Sequence, residues 1–166
     1  MMTSETYGKS DWLEKYQTAT NPTIKRECLE NALLIDPDDG DVWMTLGDMH
    51  NTNSKNKANY CWKMAVKAYS ELLKKIQSDA TKYLKSPTFP LAEELKTENV
   101  LKRNSSILFS QASAYYNLEM YSLAIEHYLK SYELNPEATL CLHYVAEAYD
   151  ELEQMDNAIK FMQEYI

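Results

Sequence analysis

Glycine and proline are scarce in this sequence, with 3 and 5 residues among 166. All-β folds need many more of both at their frequent turns, so this scarcity argues against that class. Alanine, leucine, glutamate, lysine and tyrosine are frequent instead, which favours helix. The apolar share of 45% is sufficient for a core. The composition therefore predicts an all-α protein.

Positive charge is also in short supply. The sequence has 17 Lys and Arg against 25 Asp and Glu, a formal net charge of −8 at pH 7. That balance argues against binding to nucleic acid or to an anionic membrane surface, and it favours a basic partner. No apolar run approaches the roughly 18 residues of a membrane span, and no basic-then-apolar leader opens the sequence. We expect no membrane insertion and a cytoplasmic or nuclear location.

Spacings that bind metals are missing as well. There is no Cys-x-x-Cys pair, and no histidine lies at ligand spacing from a cysteine. Each cysteine falls in a helical pattern beside apolar residues, so we expect three small buried side chains. The residues concerned are Cys28, Cys61, Cys141, His50, His127 and His143. The sequence predicts no metal site and no cofactor.

Catalytic motifs are equally hard to find. No Gly-rich phosphate loop, Gly-x-Ser-x-Gly elbow or His-Glu-x-x-His motif occurs. The adjacent acids Asp38 and Asp39, and likewise Glu93 and Glu94, fall at predicted helix starts, where carboxylates complement the helix dipole. We therefore expect no enzymatic activity.

What the sequence does contain is a tandem helical pattern over residues 104–166. Small and aromatic residues recur in the same order in two copies, and Ala124 and Ala158 are 34 residues apart. The first copy consists of Ala112, Tyr115, Tyr121, Ala124, Tyr128 and Pro136, and the second of Ala146, Tyr149, Met155, Ala158 and Met162. An ordinary helical bundle with coincidental spacing is the alternative interpretation.

This pattern resembles the tetratricopeptide repeat, a helical hairpin of 34 residues. A methyl group at Ala112 and another at Ala124 allow two facing helices to approach to about 8–9 Å. Residues 117–121 break the period between the helices, and Pro136 ends the second one. One hairpin cannot bury both faces, so the resemblance implies a right-handed solenoid of stacked hairpins.

Weaker copies precede these two. Trp43, Leu46 and Gly47 resemble the Trp-x-x-Leu-Gly start of the family motif, and the acids at 38–41 supply helix-capping oxygens. We predict a flexible N-terminus at 1–10 and a helical domain at 11–166, with repeats at about 11–37, 38–72, 105–138 and 139–166. The turn inside the second repeat is predicted at 51–56. The first repeat is degenerate, because its first helix lacks the small residue.

The second repeat does not end where the family pattern would end it. Its apolar stripe continues from Ala65 to Ser86, which predicts one helix of roughly 28 residues and a long-helix extension at about 66–104. This layout is similar to the repeat domain of the large immunophilins, which bind a terminal carboxylate through an asparagine, a lysine and an arginine. Ser110, Leu140 and Tyr144 stand at those places here, so that ligand is not expected.

In this family the first helix of each repeat lines a concave groove that binds protein partners. The resemblance therefore implies a non-catalytic scaffold that binds a peptide or helix with basic and apolar character, without cations of its own in the groove. The implied groove residues are Ser10, Glu14, Gln17, Asp41, Met44, Asp48, Asn51, Phe109, Ser113, Tyr116, His143, Glu147 and Asp150. These positions would otherwise be solvated faces of an acidic protein.

Two further functions remain open, a co-chaperone-like adaptor and a regulatory fragment of a larger multidomain protein or enzyme. The last apolar stripe bears on the second of them, because it includes Ile159, Met162 and Ile166 and ends without a polar capping helix. Terminal repeats usually have a polar outer face. We expect this helix to continue into further repeats, to contact a partner, or to self-associate.

Overall fold

The computed structural model describes residues 7–84 and 98–166. Within them the chain forms eight helices and no strand, which confirms the all-α prediction for this part of the protein. The helices are α1 (Lys9–Thr18), α2 (Pro22–Ile35), α3 (Gly40–Asn51), α4 (Lys55–Leu84), α5 (Glu98–Asn117), α6 (Tyr121–Leu134), α7 (Leu140–Glu151) and α8 (Met155–Tyr165).

The chain divides into two compact units, Met1–Ala68 (unit 1) and Tyr69–Ile166 (unit 2), with the boundary inside α4. The single helix predicted from Ala65 to Ser86 is confirmed as far as Leu84 by the 30-residue α4. The helix predicted from Leu91 onwards lies outside the described residues up to 97, and α5 is described from Glu98.

Unit 1 is built around a buried cluster where α1, α2 and α3 pack in sequence order. Its members are Leu29, Ala32, Leu33, Val42, Leu46 and Cys61, with Trp12, Leu13 and Tyr16 of α1 packed against them. The helix starts are capped as their sequence suggests. The Asn21 side chain accepts a hydrogen bond from the Thr23 amide at 2.8 Å, and Asp39 accepts one from the Val42 amide at 3.0 Å.

Lys9 joins the start of α1 to the connection between α2 and α3. Its ammonium group lies 2.6 Å from Asp36 Oδ2 and also contacts Asp39. The hydrogen bonds to both carboxylates raise the pKa of Lys9, and the same contact lowers the pKa of Asp36. These three side chains attach the N-terminal helix to the rest of unit 1.

Gly47 is the point where α3 passes closest to α4. A Cβ atom built on it would lie 2.5 Å from Nε1 of Trp62, whose side chain is only 2% exposed. That indole donates a hydrogen bond to Asp48 Oδ1 at 3.1 Å. The turn that follows α3 is shorter than the predicted 51–56, since α3 ends at Asn51 and α4 begins at Lys55.

Unit 2 contains the two repeats that the sequence indicates most clearly. Helices α5 to α8 pack consecutively, each against the next. Ala112 and Ala124 are fully buried between α5 and α6, as their spacing predicts. Buried serines also join these two helices: Ser105 Oγ donates to the Ser131 carbonyl at 2.8 Å, and Ser131 Oγ donates to the Ser105 carbonyl at 2.7 Å.

The two hairpins of unit 2 turn in the same way. Glu119 and Glu153 are 34 residues apart, and both have a left-handed backbone, with φ of 61° and 57°. In the first turn the Met120 amide donates to the Tyr115 carbonyl, and in the second the Gln154 amide donates to the Tyr149 carbonyl, both at 2.9 Å. The predicted turn at 117–121 and the helix end before Pro136 are confirmed.

Candidate functional site

The predicted groove residues fall into two sets of six named side chains, one in each unit, apart from Ser10 on α1. Phe109 and Ser113 of α5 are half-buried in unit 2. The Phe109 ring meets Tyr128 edge-on at 5.2 Å and Tyr144 at 5.6 Å between centroids, and the two tyrosines stack at 5.4 Å. Ser113 Oγ lies 2.9 Å from the Tyr128 hydroxyl. Phe109 and Ser113 therefore make internal contacts that support the surface around them.

Tyr116, one turn further along α5, lies beside the acidic side of α7. Its ring contacts Tyr121 edge-on at 5.2 Å and remains half-buried. Burial, followed by the nearby charges of Glu151 and Glu147, raises the pKa of Tyr116 to about 12, with a smaller contribution from Asp150. The structure thus brings an aromatic side chain and three carboxylates together, and two of those carboxylates were predicted from the sequence.

His143 begins the same face of α7. Its Nε2 lies 3.3 Å from Glu147 Oε1, and its ring contacts Tyr144 and Tyr165, each at 5.4 Å. Its Nδ1 is buried without a hydrogen-bond partner among the described residues. Glu147 and Asp150 line a shallow pocket of about 250 Å³ that also includes Ala146, Ala158, Ile159 and Met162. We call the surface formed by Tyr116, His143, Glu147, Asp150 and Glu151 the α5–α7 surface.

The unit 1 set is more dispersed. Gln17 and Asp41 line one pocket of about 290 Å³ together with apolar side chains of α1 and α2. Glu14 and Asn51 are exposed on α1 and at the end of α3, and Met44 is half-buried.

Asp48 differs from these residues because its carboxylate is engaged by the protein. Desolvation raises the pKa of Asp48, and the hydrogen bond from the Trp62 indole opposes that rise. Since Asp48 orients a core tryptophan, a substitution there would disturb packing as well as charge.

The described residues show little that could support catalysis. No group of three or more His, Cys, Asp or Glu side chains suited to a metal ion occurs among them. The three cysteines are free and buried, as predicted. Burial raises the pKa of the Cys61 thiol to about 11, so at neutral pH it is protonated and a poor nucleophile. None of the described helices is long and apolar enough to cross a membrane.

One surface of unit 1 was missed by the sequence analysis. An open, mainly apolar groove of about 590 Å³ lies among α2, α3 and α4, and we call it the α2–α4 groove. Its apolar lining includes Leu33, Leu34, Trp43, Leu46, Tyr60 and Cys61. A signal was available in Leu34, which extends the apolar stripe of α2 sideways and is 83% exposed.

With this geometry in place, the comparisons with known proteins are informative for unit 2. The family model of the tetratricopeptide repeat matches residues 105–137, which hold α6 and all but the start of α5. The chain carries a tetratricopeptide repeat. The repeat is a helical hairpin used for binding other proteins, and the prediction of a tetratricopeptide-repeat protein with an all-α helical-repeat fold is confirmed. A search of curated protein sequences finds no significant match.

Solved structures similar to this tetratricopeptide-repeat chain include several of MamA. One, described as the crystal structure of MamA protein, is 15% identical over 95% of this chain and 89% of its own, with a TM-score of 0.38. MamA MSR-1 is 18% identical over 95% and 94%, also at 0.38. MamA from Desulfovibrio magneticus RS-1 is 14% identical over 95% and 92%, at 0.36. Neither identity nor TM-score is high enough to indicate a shared function or arrangement.

Proposed function

We propose that this chain is a non-catalytic protein-interaction module, and that its α5–α7 surface binds a segment of a partner protein with basic and apolar side chains. The repeat at 105–137 supports the general role. The observation that carries the specific role is the half-buried Tyr116 ring beside Glu147, Asp150 and Glu151. An aromatic side chain next to several carboxylates suits a ligand that combines an apolar group with Lys or Arg.

The division of labour on this surface follows from its contacts. Each exposed charge pair would contribute only about 0.2–1 kcal/mol, so the carboxylates would mainly steer and orient the ligand. Tyr116 and the apolar pocket around Ile159 and Met162 would supply most of the affinity. We therefore expect affinity to fall moderately with salt, because the charge pairs are screened and the apolar contacts are not.

The same surface can be completed by the predicted residues of unit 1. Glu14, Gln17, Asp41, Met44 and Asn51 are half-buried or exposed on α1 and α3, and none of them is cationic. In this proposal they form a second acidic and polar contact with the same kind of ligand. Asp48 has the different role of orienting Trp62.

The test is an affinity purification of partners with the full chain, followed by binding measurements on the purified partner. Tyr116→Ala should weaken binding by about tenfold. The double variant Glu147→Lys with Asp150→Lys should weaken it by at least about fivefold, because attraction is replaced by repulsion. Glu133→Lys, on an exposed position of α6, is the matched charge reversal that should leave binding unchanged. A partner bound equally by all four proteins would refute the proposal.

A further inference from the structure

The α2–α4 groove is a second surface, separate from the α5–α7 surface and independent of the function proposed for it. Its volume of about 590 Å³ falls within the range of roughly 300–1,000 Å³ that is typical of ligand sites. Leu34 and Tyr60 line it and are 83% and 58% exposed, which is unusual for large apolar side chains on one contiguous patch. Trp43 meets Tyr60 edge-on at 5.9 Å, so the groove has an aromatic wall.

A polar group without a partner lies in this apolar lining. The His50 side chain lines the groove and is only 7% exposed. Among the described residues no side chain or backbone group forms a hydrogen bond with its imidazole ring. Burial, together with the nearby positive charges of Arg26 and Lys57, lowers the pKa of His50, so the ring is neutral at pH 7 and presents one N–H donor. A buried donor without a partner is costly, and a ligand that accepts its hydrogen bond would remove that cost.

The charges near His50 indicate the sign of such a ligand. Arg26 and Lys57 are both close enough to His50 to affect its titration, and Glu30 is the single acid that opposes them. Lys57 is exposed and lines the groove, and the Nε of Arg26 is buried without a hydrogen-bond partner in the described chain. This local excess of positive charge stands out in a chain of net charge −8. It complements a carboxylate.

We propose that the α2–α4 groove binds an amphipathic helix of a partner protein that presents aliphatic side chains together with an Asp or Glu. The aliphatic side chains, spaced at i, i+3, i+4 and i+7, would contact Leu34, Trp43 and Tyr60. The carboxylate would accept a hydrogen bond from His50 and lie near Lys57. The chain would then hold two partners of opposite charge, an acidic helix in unit 1 and a basic segment on unit 2.

A displayed peptide library tests this directly. Helix-forming peptides with Leu, Ile, Met or Phe at i, i+3, i+4 and i+7, and with acidic, basic or neutral residues at the flanking positions, are selected on the full-length chain. The enriched peptides should carry Asp or Glu beside the apolar stripe. The best peptide is then synthesised with a fluorophore, and its affinity is measured by fluorescence anisotropy.

Two variants and one control decide the outcome. Leu34→Glu should weaken the peptide by about tenfold or more, and Lys57→Glu by about three- to tenfold. Both positions are exposed, so circular dichroism should show unchanged folding. Ile159→Glu places the same change on a half-exposed aliphatic residue of α8 and should have no effect.

Several results would overturn the proposal. Enrichment of basic or neutral peptides would contradict the inferred carboxylate, and equal binding to wild type and Leu34→Glu would place the site elsewhere. Concentration-dependent self-association in light scattering that is lost in Leu34→Glu would show that a second copy of the chain occupies the groove. A failure of the α5–α7 proposal would leave this test unaffected, because the variants lie on different helices.

Discussion

The contact between Gly47 and Trp62 allows one substitution to be predicted in detail. Alanine is normally favoured over glycine inside a helix by about 1 kcal/mol. At Gly47, however, the added Cβ would lie 2.5 Å from Nε1 and 2.6 Å from Cδ1 of a buried indole. Overpacking of this kind costs roughly 1–3 kcal/mol, and a displaced ring would also weaken its hydrogen bond to Asp48. Gly47→Ala should therefore destabilise unit 1 by about 1–3 kcal/mol.

Tryptophan fluorescence in a urea titration is the appropriate assay. All 3 tryptophans, at positions 12, 43 and 62, lie in unit 1, so the signal reports on that unit alone. The control is the same change in a Trp62→Leu background, followed by circular dichroism as well as by the two remaining tryptophans. Without the indole, Gly47→Ala should become neutral or stabilising by up to about 1 kcal/mol. If Gly47→Ala stabilises the wild-type chain, the close approach of α3 to this ring is wrong.

Two further predictions concern contacts outside that site. Ser131→Ala should cost unit 2 about 1–3 kcal/mol in thermal or urea unfolding followed by circular dichroism, because it removes buried hydrogen bonds to Ser105; Ser122→Ala, at an exposed position of α6, should change little, and equal stabilities would contradict the buried pair. Lys9→Met should lower the urea midpoint of unit 1 at pH 7 but have a much smaller effect near pH 2.5. The pKa of Asp36 is lowered in the fold, so its contribution is present above its unfolded value of 3.8 and is lost as the pH falls through the lower folded value. An effect of Lys9→Met that does not depend on pH would show that the lysine acts through packing rather than charge.

Much of the fold followed from short-range patterns. The small residues Ala112 and Ala124 marked a close helix pair, and the apolar stripe beyond Ala65 indicated a long helix. These features depend on spacing along one or two helices, so the sequence is enough. The left-handed turns at Glu119 and Glu153 could not be predicted in this way, because glutamate has no preference for that backbone conformation.

The candidate site was predicted less completely, since it depends on contacts between repeats. Phe109 was assigned to the groove by its position in the motif, yet its edge contacts with Tyr128 and Tyr144 depend on how two hairpins stack. The approach of Tyr116 to Glu151 required the same information. In unit 1, Leu34 was missed because an apolar residue directly after a buried one lies off the helical stripe.

The matching turns at Glu119 and Glu153 bear on how such a chain can diverge. Their hydrogen bonds join backbone groups only, so the reversal of direction between helices is independent of side-chain identity at most positions. Substitutions can then accumulate on α7 and α8 while the hairpin geometry is retained. This accounts for a second hairpin with the same backbone turn beyond residue 137, where the family match ends. Inheritance of shape is thereby separated from inheritance of sequence, and neighbouring hairpins can acquire different binding specificities without refolding.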